Sequence, residues 1–203
     1  MDHLAITPMR YPAGRKQLTR ERIVRAASRR FRSRGSQGAA IGDLMRDLHL
    51  THGGFYRHFD SKEDLLVEAF EKGLSEIHSR IVSAIESAPK GGEVKALIDA
   101  YLSIEHCDNP ADGCPVAALA TELARRPPRS KARLAFEQAL RERTRQMAKY
   151  MPGVTQEERE KKAKLLMSGM SGTLNVARVI TDELHRRRFL DDARQFYLDA
   201  VSR

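Results

Sequence analysis

Apolar residues recur at helical spacing along nearly all of this chain, and one run is unusually long. Leu66, Phe70, Leu74, Ile77, Ile81, Ile85 and Ala88 form a single stripe that stops at Pro89-Lys90-Gly91-Gly92. A helix of that length outruns a small domain and reads as a connector shared by two. No strand-like alternation, repeat period or low-complexity tract interrupts the pattern, so the expected class is all-α. Beyond the connector, helices are expected near 93–106, 115–126, 130–150, 155–180 and 187–202. Asn109-Pro110, Gly113, Pro127-Pro128 and Pro152-Gly153 separate several of them, and Thr155 with Glu158 forms a capping box.

The first third is organised differently. Residues 1–18 hold Pro8, Pro12 and Gly14 with little periodicity, and read as a flexible basic arm. Thr19 can cap a helix in which Ile23, Ala27 and Phe31 share one face, Gly35 ends it, and arginines crowd the other faces. A short helix from about Ile41 to Leu48 follows, and Thr51 opens another that ends near Phe59. Three helices in so few residues, two of them short and closely joined, have helix-turn-helix geometry. Ser61 and Asp64 then stand in a capping-box relation at the start of the connector. The expected organisation is an arm at 1–18, a three-helix domain at 19–62 and a larger helical domain at 63–203.

Charge follows the same division. The chain carries a net +9, and residues 1–62 account for +8 of it, with 13 Lys and Arg against 5 Asp and Glu. Such asymmetry fits a small polyanion-binding head on a nearly neutral body, although a solvated basic helix or a membrane-surface helix would share it. No apolar run is long enough for a spanning helix. The first residues lack a signal-peptide pattern, so the expected location is cytoplasmic. Cys107 and Cys114 are the only cysteines, which argues against a disulfide scaffold.

Residues Leu50 to Leu66 read Leu-Thr-His-Gly-Gly-Phe-Tyr-Arg-His-Phe-Asp-Ser-Lys-Glu-Asp-Leu-Leu, with the core pattern Gly-x-x-Tyr-x-His-Phe-x-x-Lys. This segment resembles the recognition helix and following helix start of TetR-family transcriptional regulators, at motif strength over about 19–66. The resemblance implies an N-terminal helix-turn-helix DNA-binding domain and a C-terminal helical ligand-binding and dimerisation domain. It implies base-edge contacts from Thr51, His52 and Gly53, and phosphate contacts from Tyr56, His58 and Lys62. Elementary chemistry agrees: Gly53 and Gly54 each cost a helix about 1 kcal/mol, and close approach to a duplex would supply a reason. Lys62 sits in a first helical turn, where the dipole disfavours a cation unless an anion is near. Phe55 and Phe59 should pack inward against Phe31, Ile41 and Leu44. Two departures stand out. Leu48-His49-Leu50 occupies a turn where the family usually has Gly, and His is among the few residues that tolerate positive φ. The second helix has Ala39-Ala40 where a Ser or Thr cap is usual.

The resemblance also implies a homodimer, with the helices near 155–180 and 187–202 as the interface. Gly169, Gly172 and Ala177 would permit close approach there, and Leu165, Leu166, Met170, Leu174, Phe196, Tyr197 and Val201 supply apolar area, unless they fill the subunit core. A pocket for an unknown small-molecule inducer is expected between the connector and residues 93–150. Tyr101, Leu102, Phe136 and Met147 are its plausible lining, though they suit a core equally well. Gly113-Cys114-x-x-x-x-Leu119 resembles an element of family members that respond to oxidants or electrophiles. Cys114, at a helix N-terminus before Pro115, is then a sensor thiol with Cys107 as its resolving partner, or else a small packed residue. His106, Cys107 and Cys114 match no closed zinc pattern, and neither a metal nor a cofactor is expected. No Ser/His/Asp order, HExxH, phosphate loop or dinucleotide turn suggests an enzyme. The reading is a homodimeric repressor released from a palindromic operator by a small-molecule or redox signal, with a non-specific architectural DNA binder as the competing class.

Overall fold

The computed structural model describes residues 13–202, and every regular element among them is helical. Helix α1 spans Ala13–Arg34 and α2 Ile41–Asp47; a 3-10 helix runs over His52–Arg57. The connector α3 spans Lys62–Glu86. Then come α4 (Glu93–Tyr101), α5 (Ile104–Asp108), a 3-10 turn at Pro110–Asp112, α6 (Pro115–Ala124), α7 (Lys131–Ala148), α8 (Gln156–Val179) and α9 (Glu183–Ser202).

Two apolar cores share α3. The first gathers Ile23, Phe31, Leu44, Met45, Phe55 and Phe59 from the N-terminal helices around Leu65, Leu66, Phe70 and Leu74 of α3. Leu119 and Leu123 of α6 and Ala132 of α7 complete it, so the larger domain reaches into the head. The second core is built on Ile77, Ile81 and Ile85, the distal half of the same stripe, with Leu97, Leu102, Leu166, Met170 and Leu174 around them. A single rigid helix therefore has one end in each core, which makes it able to carry a displacement from one to the other.

Several boundaries differ from the sequence expectation. Of the expected arm, residues 1–12 lie outside the described residues, while 13–18 are already helical. Thr19 is thus no cap: it sits within α1 and its hydroxyl donates to the Arg15 carbonyl at 2.9 Å. Arg15, Lys16 and Gln17 are good helix formers, and Gln17 donates to Glu21 one turn on, which outweighs the breaker signal of Gly14. The helix expected over 93–106 breaks after Tyr101, because the Ser103 hydroxyl accepts from the His106 amide at 3.1 Å and starts α5. The last helix begins earlier, at Glu183. The Ser61 cap and the complete Thr155–Glu158 capping box form as expected.

Candidate nucleic-acid interface and ligand cavity

The turn between α2 and the 3-10 helix is closed by His49 in the left-handed region, at φ 57°, so His does fill the place where glycine is usual. Its amide bonds back to the Arg46 carbonyl at 2.9 Å, and the Leu50 amide to Met45 at 2.8 Å. Ala40 gives α2 no side-chain cap. Thr51 then caps the next element, its hydroxyl accepting from the Gly54 amide at 3.2 Å. That element is a 3-10 helix ending at Arg57 rather than an α-helix ending near Phe59. A short segment with two glycines has too little helical drive to hold wider turns, and the burial of Phe55 and Phe59 decides its path. Their rings stack at 5.4 Å, each almost wholly buried.

With those two rings inward, the opposite side faces solvent. Thr51, His52, Gly53 and Tyr56 are all exposed. Tyr56 stands edge-on to Phe55 at 5.2 Å and to His52 at 6.1 Å, so its hydroxyl is held away from the body on a braced ring. A Cβ on Gly53 would meet nothing within 4 Å, and its φ is not positive. Nothing among the described residues therefore calls for glycine at position 53.

His58 and Lys62 flank this tip. His58 is half-buried with its Nδ1 unpartnered. Burial, and after it the charges of Lys16, Arg20 and Arg57, hold its pKa below the usual imidazole value. Lys62 makes no hydrogen bond or ion pair among the described residues; burial lowers its pKa, opposed by Glu122 and reinforced by Arg126. Beside the tip lies an open groove of about 640 Å³, lined by Arg15, Lys16, His49, Thr51, Arg57 and His58 among others, with no carboxylate on its walls. Arg15 and Lys16 come from the segment that sequence reasoning assigned to the arm. Their basic character was legible, but the helix that aims them was not. Arg20, also unforeseen, pairs with Glu68 of α3 and lies 4.5 Å over the Phe59 ring, bolting α1 to the connector.

The C-terminal body contains a narrow cavity of about 50 Å³ lined by α3, α4, the start of α6, α7 and α8. Tyr101 and Met147 line it as expected. Leu102 and Phe136 do not: Leu102 is sealed in the distal core, and Phe136 packs on Phe70 at 4.9 Å in the first core. Helical spacing cannot tell a cavity wall from its backing layer. At one end the Tyr101 hydroxyl shares a 2.9 Å hydrogen bond with Ser171, and Cys114 lies beside them.

Cys114 is the N-cap of α6, before Pro115, yet it and Cys107 are both buried. Burial raises the Cys107 thiol pKa, the reverse of what a reactive thiolate needs. His106 commits both ring nitrogens to backbone: Nδ1 donates to the Tyr101 carbonyl at 2.6 Å, and Nε2 accepts from the Cys114 amide at 2.9 Å. Burial pulls its pKa to about 4, so it stands neutral. Among the described residues no cluster of His, Cys, Asp or Glu is arranged to hold a metal ion, and no helix is long and apolar enough to cross a membrane.

An all-α body with a positive-φ turn, an exposed short helix and a cationic rim defines a helix-turn-helix protein. Residues 23–69 match the family described as bacterial regulatory proteins, tetR family. The regulator LmrA of Bacillus subtilis (strain 168) is 28% identical over 106 residues, which is 51% of this chain and 56% of LmrA. The regulator TtgR of Pseudomonas putida is 37% identical over 71 residues, 35% of this chain and 33% of TtgR. The matched segments thus span about half of one relative and a third of the other. A TetR transcriptional regulator from Chloroflexus aurantiacus J-10-FL shares the fold over 94% of this chain and 97% of its own, at TM-score 0.73 and 24% identity. Residues 23–69 thus match the TetR-family N-terminal domain, and the described residues share the fold of TetR-family transcriptional regulators.

Proposed function

We propose that the chain is a homodimeric, sequence-specific DNA-binding repressor, released from a palindromic operator when a small molecule enters the cavity of its C-terminal body. The observation that carries the reading is the exposed tip: an unconstrained Gly53 stands between Thr51 and Tyr56, beside a groove whose walls are cationic and hold no carboxylate. Thr51, His52 and Gly53 approach base edges, and Tyr56, His58 and Lys62 hold phosphates. A phosphate at His58 would offset the three neighbouring positive charges that, with burial, disfavour the imidazolium. The family itself is one of dimeric DNA-binding regulators with small-molecule ligands, which supports the same reading.

Dimerisation is assigned to α8 and α9. Helix α8 is apolar on two opposed faces. Leu166, Met170, Leu174 and Ala177 fill the subunit's own core, as does Val201 of α9, so these five leave the expected interface. Gly169 accommodates the chain's own Tyr197, whose ring a Cβ there would approach to 2.7 Å. The other face carries Leu165, Gly172, Val176 and Val179, spaced to form one stripe, and α9 adds Leu184 and Phe196; the five larger residues of the patch are more than half exposed. An apolar stripe of this kind fits a second copy of the chain.

The route from cavity to tip is short. Cys114 lines the cavity, and the carbonyl of the preceding Gly113 accepts from Arg32 Nη1 at 3.0 Å. Arg29 pairs with Asp112 in the same loop. Both arginines are on α1, so a displaced loop pulls on the head. The ligand must favour the form with the weaker DNA affinity for release to follow. The cysteine-sensor reading stays secondary, since both thiols are enclosed; it requires that Cys114→Ser abolish the response to an electrophile.

The test is a binding titration on duplexes selected from genomic fragments. A selected palindrome should be preferred over random duplex by about 10³ or more, and equal affinity for both would leave only an architectural binder. Lys62→Ala should weaken every site alike and reduce the salt slope by about one per protomer, whereas a sequence-selective loss contradicts a phosphate contact. Gly53→Ala should leave the melting temperature unchanged or slightly higher and lower operator affinity about ten-fold, a cost of about 1.4 kcal/mol. If affinity is unaffected, the tip does not approach the duplex.

A further inference from the structure

The cavity walls are apolar except at the inner end and at one rim. Leu74, Ile77 and Ile81 of α3 face Met147 of α7 and Met167 and Met170 of α8. Thioether side chains repack readily, so a cavity of this size with three methionines can open around a longer guest. At the inner end the polar groups satisfy one another: the Tyr101 hydroxyl bonds with Ser171, and Cys114 completes the group. That end asks nothing of a ligand.

The rim is different. Arg143 of α7 and His78 of α3 both line the cavity, and Arg143 is its only side chain with a permanent charge. The Arg143 guanidinium donates once, to Gln146 Oε1 at 2.7 Å, and among the described residues no carboxylate lies within ion-pair distance of it. The nearest acidic side chains along α7 are engaged elsewhere: Glu137 by Arg141, and Glu142 by the Gln146 amide. His78 makes no hydrogen bond among the described residues, and burial followed by the Arg143 charge lowers its pKa. An apolar slot thus opens onto a positive charge left uncompensated by the fold, next to a ring N–H donor.

Resting on the ligand-cavity reading above, we infer that the inducer is an amphipathic carboxylate, its aliphatic or aromatic part among the α3 and methionine side chains and its carboxylate on Arg143 and His78. A guanidinium fork offers a carboxylate two parallel hydrogen bonds, and the low-polarity wall strengthens them. One unmatched cation calls for one negative charge.

Isothermal calorimetry of the full-length protein with octanoate, octanol and octylamine separates charge from tail. Octanoate should bind one per protomer and at least ten-fold tighter than octanol, with octylamine weakest. Arg143→Gln should erase the preference for the acid while leaving octanol affinity and the melting temperature as they were, and Arg143→Lys should keep most of it. Octanol or octylamine binding as tightly as octanoate, or an acid preference that survives Arg143→Gln, overturns the inference and leaves the cavity reading standing. If none of the three binds, the cavity reading itself fails and takes the inference with it.

Discussion

Arg32→Ala is expected to destabilise the protein by about 3 kcal/mol and to disconnect the head from the cavity. The guanidinium is 1% exposed and makes three hydrogen bonds, to the Ser28 and Gly113 carbonyls and to Glu76 at 2.7 Å. Removing it leaves the Gly113 carbonyl without its donor and the Glu76 carboxylate with only the half-exposed Lys72 at 3.5 Å, a loss typical of broken buried ion pairs. Glu76 keeps about a third of its exposure, which holds the cost to the low end of that range. In a chain of this length about 3 kcal/mol lowers the melting temperature by about 9 °C. Gly73 is part of the same device: a Cβ there would come within 3.3 Å of the guanidinium carbon and 3.1 Å of the Ser28 hydroxyl. The variant should still bind operator, yet ligand should no longer weaken that binding. An unchanged melting temperature would mean that Arg32 is not a structural tie, and a full ligand response would mean that the signal bypasses the Gly113 loop.

Acid should weaken the fold through His106 well before the carboxylates titrate. The native ring is held neutral, with a pKa of about 4, because its Nε2 must accept from the Cys114 amide and its site is enclosed. The unfolded chain takes up this proton near pH 6.5, and the folded one only near pH 4. The His106 contribution is thus complete above pH 6.5 and declines as pH falls from 6.5 to 4, by about 3 kcal/mol in total. Urea melts across that interval should show the decline. In His106→Gln, less stable at neutral pH, this part of the slope should be missing. An identical slope in the variant would remove His106 as the cause.

Much of the architecture was legible because it rests on local signals. The α3 stripe, the caps at Ser61 and Thr155, and the Phe55–Phe59 pair each involve residues within a few turns of one another. Even the strained turn at His49 could be anticipated, since few non-glycine residues tolerate that backbone. The exposed set from Thr51 to Tyr56 follows from the same logic, because burying two phenylalanines four apart turns the intervening positions outward. The start of α1 was not legible: Pro12 and Gly14 advertise a break, whereas helix formers and a Gln17–Glu21 pair sustain the helix. The cavity lining was half legible, because Leu102 and Met147 are equally apolar and differ only in what stands behind them.

By its own residues the chain determined an all-helical body, a long shared connector and a basic helix-turn-helix head, since periodicity, capping and charge are properties of neighbours in sequence. Tertiary structure alone decided which face of α8 is left bare, why both cysteines are enclosed, and how Arg32 joins a loop 81 residues away. It also set Arg143 and His78, from two different helices, on one rim. Those facts depend on which distant surfaces meet. Burial and long-range hydrogen bonding select that meeting, and no local pattern records it.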